Sequence, residues 1–305
     1  MNAMKRIALL LVVLLSVWLW GCKQDPNEQT IIKGHAKVLV DEEIFPIVED
    51  AYWVFRTQYP AEITMDSLPE SETVNALLSG KADIAILSRK LTSGEERKFT
   101  SKGVKPRITP FAKDAVVFLT NKASKDSVID LSDVIRFLRG DASPIKKLVF
   151  ENPNSGTKRY LDSLAGTDKK PKQNVYSLES HEAVLKFISE NENVIAVTAL
   201  NPILQPYEKW EKYSGKVRIM GVRNVKSAKT DNNFYKPNQT NLALGTYPLT
   251  RTLYVLNYQG KAGLGTGFAS YIAGQDGQRI VLKSGLLPVH MPSRIINIRK
   301  EINTK

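Results

Sequence analysis

An α/β fold, with a mostly parallel sheet flanked by helices, is the class this sequence predicts. Short apolar runs alternate with helix-spaced stretches along most of the chain. The run "DIAIL" (83–87) is almost continuously apolar, as a strand covered on both faces must be. Helical stretches stop at Gly80 and Gly140, where a glycine can end a helix.

The elements follow in order. "KVLV" (37–40) reads as a strand, and from Ile44 onward Ile47, Val48, Ala51 and Phe55 share one helical face. "EITM" (62–65) is a strand, "SETVNALLSG" (71–80) a helix, 83–87 a strand, "TSGEERKFTSKG" a capped polar helix and "VKPRITPFA" a returning strand. This βαβαβ rhythm argues for a parallel sheet. A second unit begins near "DAVVFLTN" (114–121) with a strand. It continues through helix 130–140, strand "KKLVF", helix "SGTKRYLDSLAG", helix "LESHEAVLKFISENEN" and the strands "VIAVT" and "KVRIMGV". Residues 226–241 are polar and read as a long loop; "YPLTRTLYVLNYQG" is a strand, and "GTGFASYIAGQDGQRIVLKSG" one or two helices. The pattern divides the chain into one lobe from 31 to 112 and a second from 113 to about 225, with the remainder read as a return to the first lobe.

Composition narrows the function. The 305 residues carry a formal charge of +12, yet Lys and Arg are scattered and not interleaved with stacking aromatics, which argues against nucleic acid. A basic surface that draws in small anions or lies near anionic lipid fits better. "MNAMKR" followed by "IALLLVVLLSVWLW" is a charged and then apolar export signal, ending at Gly21-Cys22. Leu19-Trp20-Gly21-Cys22 resembles a bacterial lipobox, which implies lipidation at Cys22; an uncleaved membrane anchor is the alternative. Residues 23–34 form a polar tether. Either way the remainder lies outside the cytoplasm, in the cell envelope. Cys22 is the only cysteine, so no internal disulfide forms, and His35, His181 and His290 lack ligand-like neighbours; neither a metal nor a cofactor is expected.

In open α/β sheets ligands sit beyond the carboxyl ends of strands, where helix starts present unpaired N–H groups to anions. Four corners carry suitable groups: "DEEIFP" (41–46), "SLPESE" (67–72), "LSRKLT" (87–92) and "ENPNSGT" (151–157). Taken singly, Ser71, Thr92 and Ser155 are helix caps and Gly156 is turn chemistry.

"NSGTKRY", "YPLTRTLYVL" (247–256) and "GFASYIAGQDGQRIVLKSGLLPV" (267–289), in that order, resemble the phosphate-binding proteins of ABC transporters. "ADIAILSRKLT" (82–92) is similar to a strand-and-corner of the same family. The resemblance spans roughly 35–295 and implies a two-lobed type II periplasmic-binding fold with the ligand between lobes. It implies crossings near 111–116 and 226–250, and so lobes of 31–112 plus 240–305 and of 113–239, a monomer, a permease partner and inorganic phosphate or a related oxyanion as ligand.

By position, the resemblance puts Ser155, Gly156, Thr157, Phe45, Ser71 and either Ser88 or Arg89 at the ligand. Where the family often has an arginine, four residues before Ser155, this chain has Glu151; Arg89 and Arg159 are the candidate replacements. Asp41, Glu42 and Glu43 stand where small or hydroxyl residues are usual. They are either helix-start acids that complement the dipole or an acceptor for the proton of hydrogen phosphate. Arg251 is expected as a structural ion-pair partner. "SGTK" also fits the S-x-x-K pattern of acylating serine enzymes, without its companion motifs. The expected function is capture of phosphate for uptake, without covalent chemistry. A receptor of the same fold for another ligand is the alternative, and a serine acyltransferase the third reading.

Overall fold

The structure, a computed structural model, describes residues 29–167, 173–225 and 232–293. The expected export segment and Cys22 lie outside them. Among the described residues no helix is long and apolar enough to cross a membrane.

Strand β1 (Gly34–Asp41) pairs in parallel with β2 (Ala61–Leu68) over its whole length, from Gly34 opposite Ala61 to Asp41 opposite Leu68. On its other side lies β3 (Ile84–Leu87), also parallel. The helices Phe45–Gln58 and Glu70–Leu78 make the crossovers. Both faces of this sheet are covered. Val38, Val40, Ile84 and Ile86 enter the main core, while Leu39, Ala85 and Leu87 pack with Val74, Leu77 and Leu256 in a smaller one. That two-sided burial is why these strands read as unbroken apolar runs.

Strand β4 (Arg107–Asn121) departs from the expected pair of strands: "VKPRITPFA" and "DAVVFLTN" meet in one 15-residue strand. Lys113 and Asp114 look like a polar interruption, but they lie opposite Thr252 and Arg251 in the ladder, and Arg251 neutralises Asp114. Nothing there turns the chain. The ladder shifts register between Leu253 and Tyr254, close to Pro110, whose missing N–H suits an irregular position.

The second half of the sheet is built on the far end of β4. β6 (Leu148–Phe150), β7 (Val175–Ser177) and β8 (Ile195–Ala199) form it, preceded by β5 (Val128–Asp130) of a separate two-stranded sheet, with helices Leu131–Arg139, Gly156–Ala165 and His181–Glu190 between the successive strands. β6 is parallel to both β7 and β8, and β8 is antiparallel to β4. "KVRIMGV" splits at Met220 into β9 (Val217–Ile219), antiparallel to β4, and β10 (Gly221–Arg223), parallel to β5. Short helices Asn201–Leu204 and Glu208–Ser214 lie between β8 and β9. Of the expected loop 226–241, residues 226–231 are outside the described set, and its last residues open the helix Gln239–Leu244, capped by Asn238.

Strand β11 (Thr250–Asn257) returns the chain between β3 and β4, antiparallel to both. The helices Leu264–Ala273 and Gln275–Lys283 follow, and β12 (Leu287–Pro288) adds to β4. The sheet order is therefore β2-β1-β3-β11-β4-β8-β6-β7. This is a two-lobed α/β fold. β4 threads both halves, and the carboxyl ends of β1, β2, β3 and β6 bring four helix-leading corners together.

Candidate functional site

The corner after β1 begins with Asp41, which is buried and extended at φ −60°, ψ 124°, and caps the 3-10 turn Glu42–Ile44 by accepting from the Glu43 N–H at 3.2 Å. This bond turns the Glu43 side chain inward. Its carboxylate reaches the start of the helix Gly156–Ala165 in the other half of the sheet. There it accepts from the Thr157 N–H at 3.0 and 3.1 Å and from the Thr157 hydroxyl at 2.6 Å. Arg251 on β11 completes the set, with Nη1 2.7 Å from Glu43 Oε2 and Nη2 2.7 Å from Asp114 Oδ2. Two helix-start donors and a guanidinium thus converge on one carboxylate, in the manner expected for a bound anion.

A second carboxylate lies beside the first. Glu70, fully buried at the start of the helix Glu70–Leu78, accepts from Ser88 Oγ at 3.1 Å and from Arg89 Nε at 2.9 Å. Arg159 pairs with it from the opposite half, with Nη2 3.2 Å from Oε2. Ser88 Oγ also accepts from Arg251 Nη1 at 3.3 Å, which links the two carboxylate clusters. Arg89 is anchored by a fork onto Glu95, at 2.7 and 2.9 Å. The third acid, Glu151, pairs with His181 Nδ1 at 3.1 Å and accepts from the Thr198 hydroxyl.

Burial and charge set the protonation of this cluster. Burial, then the charges of Glu43 and Glu70, hold Asp41 well above the usual carboxylate range, and its Oδ2 has no hydrogen-bond partner. Glu42 is pushed up to about 7 by burial, then by Glu151, Glu43 and Glu72. Burial also raises Glu151, against the pull of His181. Burial would raise Glu70 too, but the hydrogen bonds and charges of Arg159 and Arg89 bring it below the ordinary value. Arg251 loses solvation and is nonetheless held charged by Glu43, Asp114 and Asp41.

The residues singled out from sequence distribute as follows. Thr157, Arg89, Arg159, Ser88 and Glu43 come together. Gly156 lies at the centre: a Cβ there would stand 2.7 Å from Glu70 Oε2 and 3.0 Å from Glu43 Oε2, so only glycine admits both carboxylates. Ser155 is the cap of its helix, accepting from the Lys158 N–H at 3.3 Å, and its hydroxyl lies 3.2 Å from that of Thr157. The Ser71 N–H donates to the Asn154 carbonyl at 3.1 Å, a bridge between the two corners, and the Phe45 N–H is spent on the Glu42 carbonyl. Glu42 is half-buried and Asp41 caps the turn, so of the three acids only Glu43 takes the Thr157 donors.

The S-x-x-K reading finds little to work with. Lys158 Nζ lies 2.7 Å from Asp162, and the hydrogen-bond partners of Ser155 Oγ are Thr157 and the Lys158 backbone. Sequence reasoning passed over Glu70, Asp114 and Thr198, and weighed His181 only as a metal ligand. It placed Arg251 as an ion-pair partner, which it is, without placing it at the site. The parity of β11 carries that signal: Arg251 falls on the same inward face as Leu253 and Val255, where a lone charge needs a buried partner.

Known proteins share this architecture. The chain is 26% identical over 275 residues to the phosphate-binding protein PstS of Pseudomonas aeruginosa, covering 79% of this chain and 78% of the relative. It is 25% identical over 306 residues to the PstS of Borreliella burgdorferi, covering 94% and 99%. Among solved structures, a phosphate-bound substrate-binding protein, described as that of a putative phosphate ABC transporter from Clostridium perfringens, superposes with a TM-score of 0.67. It is 18% identical, over 84% of this chain and 100% of its own. The family model of the PBP superfamily domain matches residues 26–276, and the chain belongs to that superfamily.

Proposed function

We propose that this protein is an extracytoplasmic solute-binding protein that captures phosphate, or a related oxyanion, for uptake through an ABC-transporter permease. The observation that carries this reading is the convergence of anion donors from both halves of the sheet. The Thr157 N–H and hydroxyl and Arg159 come from one half; Ser88, Arg89 and Arg251 come from the other. The names of the curated relatives support the same reading. Boundaries of 31–112 plus 240–305 for one lobe and 113–239 for the other accord with β4 as the shared strand.

Capture works by closure. An oxyanion that bonds to donors on both halves favours the state in which they are together, by as much as its affinity differs between open and closed forms. Several charge-assisted hydrogen bonds of roughly 1.5–3 kcal/mol each are needed to offset desolvation of the ion. Thr157, Arg89, Arg159 and Arg251 are donors of that kind, each now engaged by a carboxylate, and no covalent bond is made or broken. Lipidation at Cys22, outside the described residues, would tether a monomeric receptor to the membrane that holds its permease.

A receptor of the same fold for a different ligand is the second reading, favoured by the carboxylates already seated on the donors. Thermal unfolding across phosphate, sulfate, molybdate and simple carboxylates separates the two. At a hundredfold excess over Kd, phosphate is expected to raise the midpoint by about 5–10 °C, the equivalent of about 2.7 kcal/mol. A shift with another anion and none with phosphate overturns the phosphate assignment.

A further inference from the structure

Glu43 holds the place that an anion would take at the Ser155–Thr157 helix start. Its two oxygens draw in a backbone N–H, a hydroxyl and a guanidinium, from residues 114 and 208 positions away in the sequence. Resting on the oxyanion-capture reading above, we infer that Glu43 is a tethered competitor. Its carboxylate bridges the cleft by occupying the Thr157 and Arg251 donors, and an incoming oxyanion must displace it to be held there.

Three observations carry this. The Glu43 side chain is fully buried and its backbone is fixed by Asp41, so its position is built in rather than incidental. Next, the space over Gly156 is filled by carboxylate oxygens of Glu43 and Glu70 with Arg251 Nη1 behind them, at 3.2 Å or less from a would-be Cβ. An oxyanion and the Glu43 carboxylate therefore cannot share these donors. Finally, Glu43 already contributes to raising Asp41, Glu42, Asp114 and Glu151, and a second anion beside it would meet the same repulsion. The cleft is thus held by an internal ligand, and apparent affinity is reduced by the fraction of molecules in which Glu43 occupies the seat.

The test uses the full chain purified in detergent, as wild type, Glu43→Ala and Glu43→Gln. Inorganic phosphate is titrated calorimetrically, and amide hydrogen exchange at Thr157 is followed with and without phosphate. Both variants are expected to bind phosphate more tightly, Glu43→Ala by about tenfold or more. The Thr157 amide should exchange faster in phosphate-free Glu43→Ala than in wild type, and slow again once phosphate is added. Structural damage would weaken binding, so tightening cannot arise from it; Glu43→Gln keeps the side-chain shape if the alanine variant fails to fold. Wild type that binds phosphate as tightly as the variants, or more tightly, overturns the competitor while leaving phosphate capture intact. An unchanged Thr157 amide in Glu43→Ala overturns the bridge. Phosphate bound by none of the three proteins overturns both the competitor and the capture reading.

Discussion

At position 251 a guanidinium that is 3% exposed donates at 2.7 Å to Glu43 and at 2.7 Å to Asp114, each carboxylate fully buried. Removing a partner from such a cluster is far more costly than the net worth of the pair, because the charges left behind keep their desolvation cost. Arg251→Met is therefore expected to destabilise the fold by about 3–5 kcal/mol at pH 7. The loss should be smaller at pH 5, where Asp114, which burial holds above the usual carboxylate range, takes up a proton more readily. Adding Asp114→Asn should recover part of it, and urea unfolding of the three proteins at both pH values measures this. At this scale the sequence was readable where chemistry is local. Ser155-Gly156-Thr157 announces a helix start, and the acids at 41–43 announce another. Glu70 and Asp114 were not readable, since their roles come from partners far along the chain: Arg159 lies 89 positions from Glu70, and Arg251 lies 137 from Asp114.

The polar helix Ser93–Thr100 shows how an element with no buried residue still serves the site. Thr92 accepts from the Glu95 N–H, and Glu95 reaches back to the Thr92 N–H at 2.7 Å, forming a capping box. The same Glu95 carboxylate grips Arg89, which in turn grips Glu70. Burial would raise Glu95, but Arg89 and the Thr92 N–H bring it down to about 2, so this link persists through the neutral and mildly acidic range and fails only as pH falls toward 2. Thr92→Ala should cost about 1 kcal/mol in urea unfolding. The capped helix was legible because its signals lie within four residues. The continuity of β4 was not, because the partner that neutralises Asp114 arrives on β11, more than a hundred residues later. "KVRIMGV" failed likewise: one apolar run serves two sheets, and only the tertiary partners of β9 and β10 show where it divides.

Over the whole molecule, charge is sorted by depth. The chain has 43 basic and 31 acidic residues, yet among the described residues Asp41, Glu43, Glu70, Asp114 and Glu151 are buried about the site, while Arg251 is the arginine buried with them. The exterior is thus more basic than the net charge implies, and draws anions toward a centre that already holds carboxylates. This arrangement has a consequence for stability. Glu42 titrates near 7 in the folded chain and near its usual 4.5 when unfolded. Between those values the folded state keeps a proton that the unfolded state has lost. Stability contributed by the protonated group is complete below 4.5 and disappears as pH rises through 7. Asp41, Asp114 and Glu151 are raised as well and act in the same sense, whereas Glu70 and Glu95 are lowered and contribute stability that is lost on acidification. With several raised acids, the protein should lose stability from pH 5 to pH 7. Glu42→Gln cannot ionise, so its urea midpoint should fall less over that interval than the wild-type midpoint does, and should exceed it at pH 7. Equal slopes for the two proteins would mean that Glu42 is charged in the folded state at pH 5, with its carboxylate free of the neighbouring acids.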